Sequence, residues 1–222
     1  MASDISTNRL TLRGFTLDDA DDVTHLVSDY EVAKTTLAVP HPYPTDGAAG
    51  WIAGHPAEEQ RNHTTFAITL TATDDLIGAI TLIEKRIHLR AEIGYWIGYQ
   101  HWGNGYATEA TKAIIQWGFS ERGLNRIFAH HFAENPASGR VMQKCGMSYE
   151  GTIRDCVQKD GRFIDTPMYS DHFGLTLAGS IALGGEDITA LPAHARVRKG
   201  IAYTFQITSV YPRLSVYDNV AL

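Results

Sequence analysis

The sequence predicts a mixed α/β fold of the α+β kind, with a shorter segment appended at its C-terminal end. Strand-like runs of alternating apolar and polar residues recur along the first three quarters of the chain, and helical patterns separate them. Polar turn sequences join neighbouring strand-like runs, which indicates hairpins. The chain has 222 residues, of which 44% are hydrophobic and 20% charged, so it can bury one substantial core.

The predicted elements follow one another in a clear order. "RLTLRGF" alternates as a strand does, and "TLDDADDVTHLV" then starts a helix behind a capping threonine or aspartate. "TTFAITLTATDDLIGAITLIEK" predicts a hairpin with Asp74 and Asp75 in its turn, and "RAEIGYWIGY" predicts the next strand. A helix from about Gly105 to Arg122, a strand "RIFAHHF", a short helix from Pro136 to Cys145 and a hairpin around "KDGR" follow.

Composition and charge exclude several classes of protein. No run of about 18 apolar residues could span a bilayer, and the N-terminus lacks a signal-peptide pattern, so we expect a cytoplasmic protein without a membrane partner. The net charge of −6 argues against a general nucleic-acid partner, which would need a cationic face. Cys145 and Cys156 show no metal-ligand spacing, so we expect free thiols and no metal.

The stretch "QHWGNGYATEA", residues 100–110, is the clearest candidate site. It lies between a predicted strand and a predicted helix, where unpaired backbone N–H groups and the helix dipole favour an anion. Gly103 and Gly105 would let the backbone approach a phosphate or pyrophosphate without a Cβ in the way, although glycine at such turns is also common for steric reasons alone. The stretch fits neither the nucleotide P-loop pattern nor the dinucleotide-binding pattern.

Several motifs in order carry a family resemblance. Gln100, Gly103 and Gly105 follow the spacing Q-x-x-G-x-G, and "NRLTLRGF", "LIGAITL", "NPASGRVMQKCGMSYEG" and "RDCVQKDGRFIDTPMYS" accompany it. With these motifs, residues from about 8 to 175 resemble the GNAT superfamily of acetyltransferases, and within it the RimJ/RimL-type ribosomal-protein N-terminal acetyltransferases. The resemblance implies a mostly antiparallel twisted sheet flanked by helices and an acetyl-coenzyme A-dependent enzyme.

The resemblance also implies where the coenzyme binds. The backbone from Trp102 to Ala107 is expected to cradle the pyrophosphate; the residues concerned are Trp102, Gly103, Asn104, Gly105, Tyr106 and Ala107. The preceding strand is expected to splay from "RIFAHHF", which would leave main-chain groups near Ile97 and Gly98 free for the pantetheine arm. Asn135 before Pro136 is a strong helix cap, and the resemblance adds that it lies near the pantetheine.

The resemblance implies that Ser138 protonates the departing coenzyme A thiolate. Many members of the family use a tyrosine on the same helix as this acid, but the corresponding residue here is Met142, which cannot donate a proton. Tyr149 is a weaker alternative, because it follows Gly146, where the helix should end.

Glu92 is the candidate base. It is a carboxylate on a mostly apolar predicted strand, sharing a face with Gly94 and Trp96. An ion pair with Arg90 or Arg126 would explain it, and so would deprotonation of an acceptor amine.

These features predict an N-acetyltransferase that acts by direct transfer on a protein N-terminal α-amine or a small-molecule amine, because neither cysteine lies at a plausible nucleophile position. The acceptor cleft is expected in variable loops at about residues 30–62, and a homodimer is possible. Two alternatives stay open: a non-catalytic module that binds acetyl-coenzyme A, and a transporter-associated protein that docks through its tail.

The tail departs from this pattern. Residues from about 179 to 222 resemble part of an ABC-transporter ATPase of the branched-chain amino-acid or lipopolysaccharide-export type, with Gln206 at the Q-loop position. No Walker A sequence precedes this stretch, and no signature motif or Walker B aspartate follows it. We therefore expect two parts, an acetyltransferase domain at 1–175 and a fragment at 176–222 without a catalytic role.

Overall fold

A computed structural model describes residues 3–173, together with the backbone of 182–183 and 186–187. Backbone contacts divide the chain into two units, Met1–Phe173 and Gly174–Leu222. Of the second unit, the structure describes one short antiparallel strand pair, Ala182–Leu183 with Glu186–Asp187. The predicted ATPase-like fragment, including Gln206, otherwise lies outside the described residues and stays a prediction.

The first unit contains an eight-stranded sheet with helices on both faces. The strands are β1 (Ile5–Ser6), β2 (Leu10–Arg13), β3 (His63–Leu70), β4 (Leu76–Lys85), β5 (Arg90–Ile97), β6 (Arg126–His130), β7 (Ser148–Lys159) and β8 (Arg162–His172). The α-helices are α1 (Ala20–Val27), α2 (Tyr30–Thr35), α3 (Gly47–Glu59), α4 (Tyr106–Ser120) and α5 (Pro136–Lys144). Short 3-10 turns lie at Leu17–Asp19, Arg86–His88 and Tyr99–His101. This architecture confirms the mixed α/β fold.

The sheet has the strand order β1-β2-β3-β4-β5-β6-β8-β7. Every neighbouring pair is antiparallel except β5 and β6, which run parallel and are connected through α4. The parallel pairing spans four residue pairs, from Arg90 with Arg126 to Ile93 with Ala129, whereas β5 continues to Ile97. The sheet therefore opens between β5 and β6 beside the start of α4.

Apolar side chains form a core on each face of the sheet. On one face, α4 and α5 cover the strands, and Ala110, Ile114 and Trp117 are buried as the helical spacing predicts. Full burial of a side chain such as Ile114 contributes about 1.5–3 kcal/mol. On the other face, α1 and α3 pack through Val23, Leu26 and Ile52, among others. The sheet, including β5 and β6, therefore lies between two packed layers of helices.

The turn residues behave as the sequence predicts. Asp160 and Gly161 have φ of 50° and 76°, which gives the β7–β8 hairpin the positive backbone angles of a type I′ turn. Gly123, just past α4, is left-handed with φ 62°.

Residues 30–62 differ from the expected loops. They contain α2 and the thirteen-residue α3, which packs against β3 and α1. Gly50, Gly54 and Pro56 lie inside α3 and weaken its helical signal, because glycine and proline are poor helix formers. The expectation of loops here was therefore wrong for these segments, and tertiary packing stabilises the helix instead.

Candidate functional site

The loop before α4 has the backbone conformation that requires glycine. Gly103 and Gly105 have φ of 80° and 81°, in the left-handed region that L side chains rarely adopt. Among the described residues, apart from its chain neighbours, no atom lies within 4 Å of a Cβ built on Gly103, so the role of this glycine is conformational. The two left-handed residues turn the chain from the Tyr99–His101 turn into the first turn of α4.

This turn leaves a row of amide groups without partners. The first backbone hydrogen bond at the start of α4 runs from Glu109 N to Gly105 O, at 3.1 Å, and no side chain from residues 3–173 caps the helix. Among the described residues, none accepts a hydrogen bond from the backbone N–H groups of 103–108. Consecutive free amides at a helix N-terminus form a ready site for an anion such as a pyrophosphate.

Arg9, which the sequence analysis did not assign to the site, holds this loop in place. Its guanidinium donates to the carbonyl oxygen of Asn104 at 3.1 Å and lies 4.7 Å from the centre of the Tyr106 ring. It also pairs with Glu109 at 2.7 Å, in the first turn of α4. Burial alone would raise the pKa of Glu109, but hydrogen bonds from Thr7 and Arg9 outweigh it and lower that pKa. The N-terminal strands are thereby tied to both the loop and the helix.

Trp102 closes the other side of the loop. Its indole nitrogen donates to the carbonyl oxygen of Ile97 at 2.7 Å. The amide of Gly98 donates to Ile77 at 2.9 Å, and its carbonyl accepts from His101 at 2.9 Å. The carbonyl oxygen of Ile97 and both main-chain groups of Gly98 are therefore occupied within the protein, and a role for Ile97 and Gly98 beside the pantetheine stays a prediction. Beyond Ile93, the edge of β5 that faces away from β4 has no partner strand over residues 94–97.

The start of α5 is built differently. The side chain of Asn135 accepts a hydrogen bond from the backbone N–H of Ser138 at 3.4 Å, and Pro136 occupies the first helical position. Asn135 is therefore a helix cap, as its sequence context predicts. A role for it beside the pantetheine stays a prediction.

Ser138 lies in the first turn of α5, and its hydroxyl is 2.7 Å from that of Tyr95 on β5. Burial raises the pKa of Tyr95 to about 12. Met142, one turn further along α5, is 1% exposed in the core. Tyr149 is exposed on β7, where its hydroxyl pairs with Thr152 at 2.8 Å. Of the two acid candidates, Ser138 is the one beside the opening between β5 and β6.

Glu92 lies on the face of β5 opposite to that of Tyr95, and it is paired in register with Phe128 of β6. No ion pair involving Glu92 occurs in the described chain, and Arg126 pairs with Glu150 at 2.5 Å. The carboxylate of Glu92 interacts electrostatically with His130, whose pKa is lowered by burial and partly restored by Glu92. The Nδ1 atom of His130 is buried without a partner in the described residues.

Cys145 lies at the end of α5. Its thiol is 3.5 Å from the carbonyl oxygen of Thr108, and burial raises its pKa to about 11. A thiol with so high a pKa is protonated at neutral pH, which makes it a poor nucleophile.

A cavity of about 240 Å³ lies between α2, the segment before α5 and the β7–β8 hairpin. Tyr30, Phe132 and Asn135 contribute to its wall, and Lys159 and Arg162 stand at the hairpin side. Arg162 pairs with Glu134 at 2.8 Å. The cavity is lined in part by Asn135, the residue that caps the helix carrying Ser138.

Neither Arg9 nor Tyr95 was identified from the sequence. Arg9 lies within "NRLTLRGF", which carried the family resemblance without an assigned role, and its contact with Asn104 joins residues 95 positions apart. Tyr95 shares one face of β5 with the apolar residues Ala91, Ile93 and Ile97, so the strand pattern gave no reason to assign it a role in the site. Among the described residues, no cluster of His, Cys, Asp and Glu could hold a metal ion. In the same part of the chain, no helix is long and apolar enough to cross a membrane.

Comparisons with known proteins agree with this geometry. The sequence profile described as an acetyltransferase (GNAT) domain matches residues 9–148. The N-acetyltransferase p20 of Bacillus licheniformis is 37% identical over 171 residues, which cover 74% of this chain and 93% of that protein. A GNAT-family acetyltransferase of Bacillus anthracis of known structure is 27% identical, with a TM-score of 0.69 over 77% of this chain and 98% of that one.

Two further matches concern the predicted RimL-type resemblance and the predicted ATPase-like fragment. RimL, the ribosomal L7/L12 α-N-protein acetyltransferase, solved in complex with coenzyme A, shares the fold with a TM-score of 0.69 at 19% identity, over 77% of this chain and 98% of that one. A stretch of 43 residues, 19% of this chain, is 54% identical to 18% of LptB, the lipopolysaccharide export ATP-binding protein of Escherichia coli. This short match gives the predicted ATPase fragment only weak support.

The profile match spans more than half of the chain, and the fold, the glycine turn and the uncapped start of α4 all accord with it. The chain therefore belongs to the GNAT family of acetyltransferases.

Proposed function

We propose that the protein transfers the acetyl group of acetyl-coenzyme A directly to a primary amine, either a protein N-terminal α-amine or a small-molecule amine. The observation that carries this proposal is the row of unpaired amides at 103–108, held between Arg9 and Trp102. These amides suit a pyrophosphate, since each can donate a hydrogen bond at the positive end of the α4 dipole.

The unpaired edge of β5 suits the pantetheine arm. Because β6 leaves β5 after Ile93, the main chain of Tyr95 and the N–H of Ile97, which face away from β4, can bond an amide-containing ligand as a neighbouring strand would. Such a ligand would extend from the glycine turn towards Ser138 and Asn135. The acetyl group supplied by the coenzyme would then lie between the hydroxyl of Ser138 and the cavity lined by Tyr30 and Phe132.

Glu92 is proposed as the base that accepts the proton of the acceptor ammonium, directly or through water. From ordinary pKa values, holding an α-amine neutral at pH 7 costs about 1 kcal/mol, whereas a lysine side chain costs about 4–5 kcal/mol. An α-amine therefore needs little assistance from a single carboxylate. Glu92 has no competing ion pair in the described chain, which leaves its carboxylate available for this role.

Direct transfer is favoured over a covalent acetyl-enzyme. The one cysteine near the site, Cys145, keeps its proton and points its thiol at the carbonyl of Thr108. Cys156 is exposed on β7. The amine would therefore attack the acetyl carbon itself, and Ser138 would give a proton to the departing sulfur.

The remaining predictions extend this proposal. The negative charge of −6 favours a small molecule or a polypeptide end over nucleic acid as acceptor, and we place the reaction in the cytoplasm. We assign catalysis to the acetyltransferase domain at 1–175 and no catalytic role to 176–222. A homodimer stays a prediction.

An acetyl-coenzyme A consumption assay tests the function. The full chain would be incubated with N-terminal peptides, polyamines, aminoglycosides and free amino acids, and free thiol would be measured. We expect thiol release with at least one amine class and a matching mass increase of the acceptor. Coenzyme binding by calorimetry without turnover on any amine would instead favour the non-catalytic binding module.

A further inference from the structure

Ser138 is the acid that the site offers, yet a serine hydroxyl alone is a weak proton donor with a freely rotating hydrogen. In the structure this hydroxyl is not alone. Its oxygen lies 2.7 Å from the hydroxyl of Tyr95, and this is the contact that both side chains share across the opening between β5 and β6.

Three features fix Tyr95 in this position. β5 continues past its last pairing with β6, so Tyr95 lies beyond the point where the two strands separate. Its ring packs against the core cluster beneath α4 and α5. Its backbone is paired in register with Ile80 of β4. The phenol therefore reaches the first turn of α5 from a rigid strand.

The direction of the hydrogen bond follows from the surroundings of the two groups. With a pKa raised to about 12 by burial, the phenol is protonated at every pH at which the enzyme would work. The described structure offers it no acceptor other than Ser138. When the phenol donates to Ser138 Oγ, the hydrogen of the serine is free to point away, into the opening.

We propose that Tyr95 is a positioning residue for Ser138: its hydroxyl donates to Ser138 Oγ and thereby directs the serine hydrogen to the sulfur of the departing coenzyme A. This inference rests on the proposed function. It explains how the site works with Met142 at the family's tyrosine position. The phenol is placed on β5 instead of α5, and it acts through the serine.

The proton and electron balance of the step is simple. The acceptor nitrogen bonds to the acetyl carbon and loses a proton to Glu92 or water. The carbon–sulfur bond breaks with its electron pair on sulfur, and Ser138 Oγ transfers its proton to that sulfur. The serine oxygen regains a proton from water, while Tyr95 keeps its own proton throughout.

The first test needs no acceptor amine. A hydrogen bond to the thiolate stabilises the ionised form, so it lowers the pKa of the bound coenzyme A thiol. This pKa would be measured from thiolate absorbance, as the difference between the complexes with coenzyme A and with desulfo-coenzyme A, which cancels the cysteines and tyrosines of the protein. We expect a higher thiol pKa in both Tyr95→Phe and Ser138→Ala than in the wild-type protein.

Tyr169→Phe is the matched control. Tyr169 is a buried tyrosine whose hydroxyl accepts from Gln143, on the same helix as Ser138. The Tyr169→Phe variant should leave the pKa of the bound coenzyme A thiol unchanged. Equal thiol pKa values in the wild-type protein, Tyr95→Phe and Ser138→Ala would overturn the inference even if the protein is an active acetyltransferase. Failure of the wild-type protein to bind coenzyme A would overturn the proposed function and the inference together.

Turnover measurements then distinguish a positioning role of Tyr95 from a role in core packing alone. Tyr95→Phe should lower kcat roughly tenfold, the effect of about one hydrogen bond, with the KM for acetyl-coenzyme A unchanged. In the Ser138→Ala background, Tyr95→Phe should not lower kcat any further, because the hydroxyl that Tyr95 positions is absent. An equal loss in both backgrounds would show that Tyr95 acts independently of Ser138, and the inference would be wrong.

Discussion

Two helices begin at the opening between β5 and β6, and their first turns differ in how the backbone is satisfied. At α4, left-handed Gly105 precedes the helix, and no side chain in the described part of the chain accepts from the amides of its first turn. At α5, Asn135 accepts from the amide of Ser138 and Pro136 has no amide to satisfy. One helix start therefore keeps its donors for a ligand, whereas the other uses its own cap.

The difference shows how one kind of local structure serves two purposes. The uncapped start of α4 is a binding surface made of main-chain atoms, so side-chain changes there act through the backbone conformation. The capped start of α5 is a rigid support, and its function lies in the side chain of Ser138. Substitutions at the start of α4 should accordingly change coenzyme affinity, whereas substitution of Ser138 should change turnover.

Ser138→Ala should give the largest effect. Alanine keeps the backbone amide that Asn135 caps, so α5 should be intact while the hydroxyl is lost. Turnover should fall by roughly 10²–10⁴-fold, the range for a positioned proton donor, with coenzyme affinity unchanged. Steady-state kinetics and calorimetry would check this. Wild-type turnover would reduce Ser138 to a structural residue of α5.

Glu92→Gln should give the next largest effect and a pH dependence. A base matters most when the acceptor amine is protonated, so turnover should fall roughly 10–10²-fold at pH 6 and recover towards the wild-type value by pH 9. Coenzyme affinity should not change, because Glu92 lies away from the α4 start. A pH-independent loss would assign Glu92 to the structure of the sheet instead of to proton transfer.

Gly103→Val and Gly105→Val test the α4 start by itself. A left-handed conformation costs an L residue about 1–2 kcal/mol, and more for a β-branched side chain, so the turn should shift. We expect coenzyme affinity to fall about tenfold or more, with melting temperature monitored to establish folding. Asn104→Ala, between the two glycines, is the control and should weaken binding far less. Equal affinities for all three variants would remove the loop from the site.

Arg9→Met should have a smaller effect, of several-fold on coenzyme affinity, because it loosens the loop without removing its amides. The exposed pair with Glu109 contributes at most about 1 kcal/mol to the free energy of unfolding. Since the folded-state pKa of Glu109 is lowered, this stabilisation is present above its ordinary pKa and is lost as pH falls through the folded value. Melting temperatures of the wild-type and variant proteins should therefore converge at acidic pH. A constant difference down to strongly acidic pH would contradict the ion pair.

Removal of residues 176–222 should have the smallest effect of all. β8 is the last strand of the eight-stranded sheet along the chain, and directly after it Phe173 N donates to Asn125 O at 2.9 Å. A chain ending at Leu175 should melt, bind acetyl-coenzyme A and turn over as the full chain does, with less association by light scattering. Loss of folding or activity would show that the tail has been recruited into the enzyme.

The two helix starts also show what the sequence can predict. Asn135–Pro136 and the glycine turn are local signals, since a cap and a left-handed residue are specified by the residues that form them. The strands, the long helix and the Asp160–Gly161 turn are local in the same way. α3 was missed because its glycines and Pro56 obscure the pattern, and packing against β3 and α1 decides its conformation.

Contacts between distant residues were beyond this kind of prediction. Arg9 reaches Glu109 across 100 positions, and Tyr95 reaches Ser138 across 43. No sequence spacing identifies either pair, because each contact forms only where the folded sheet opens between β5 and β6. The same is true of Trp102 and Ile97: nothing in the sequence indicates that the indole nitrogen donates to the Ile97 carbonyl, because only the fold brings the two together.

The short parallel pairing of β5 with β6 has a thermodynamic consequence. Four residue pairs join the two halves of the sheet, and the strands beyond them are held apart. A ligand seated along β5 would contact both halves of the sheet, and it could do so only in the folded protein. The apparent free energy of unfolding would therefore depend on the ligand concentration. At 100 times its Kd, such a ligand adds about 2.7 kcal/mol to the free energy of unfolding. The melting temperature of this protein should therefore rise with the supply of its own co-substrate.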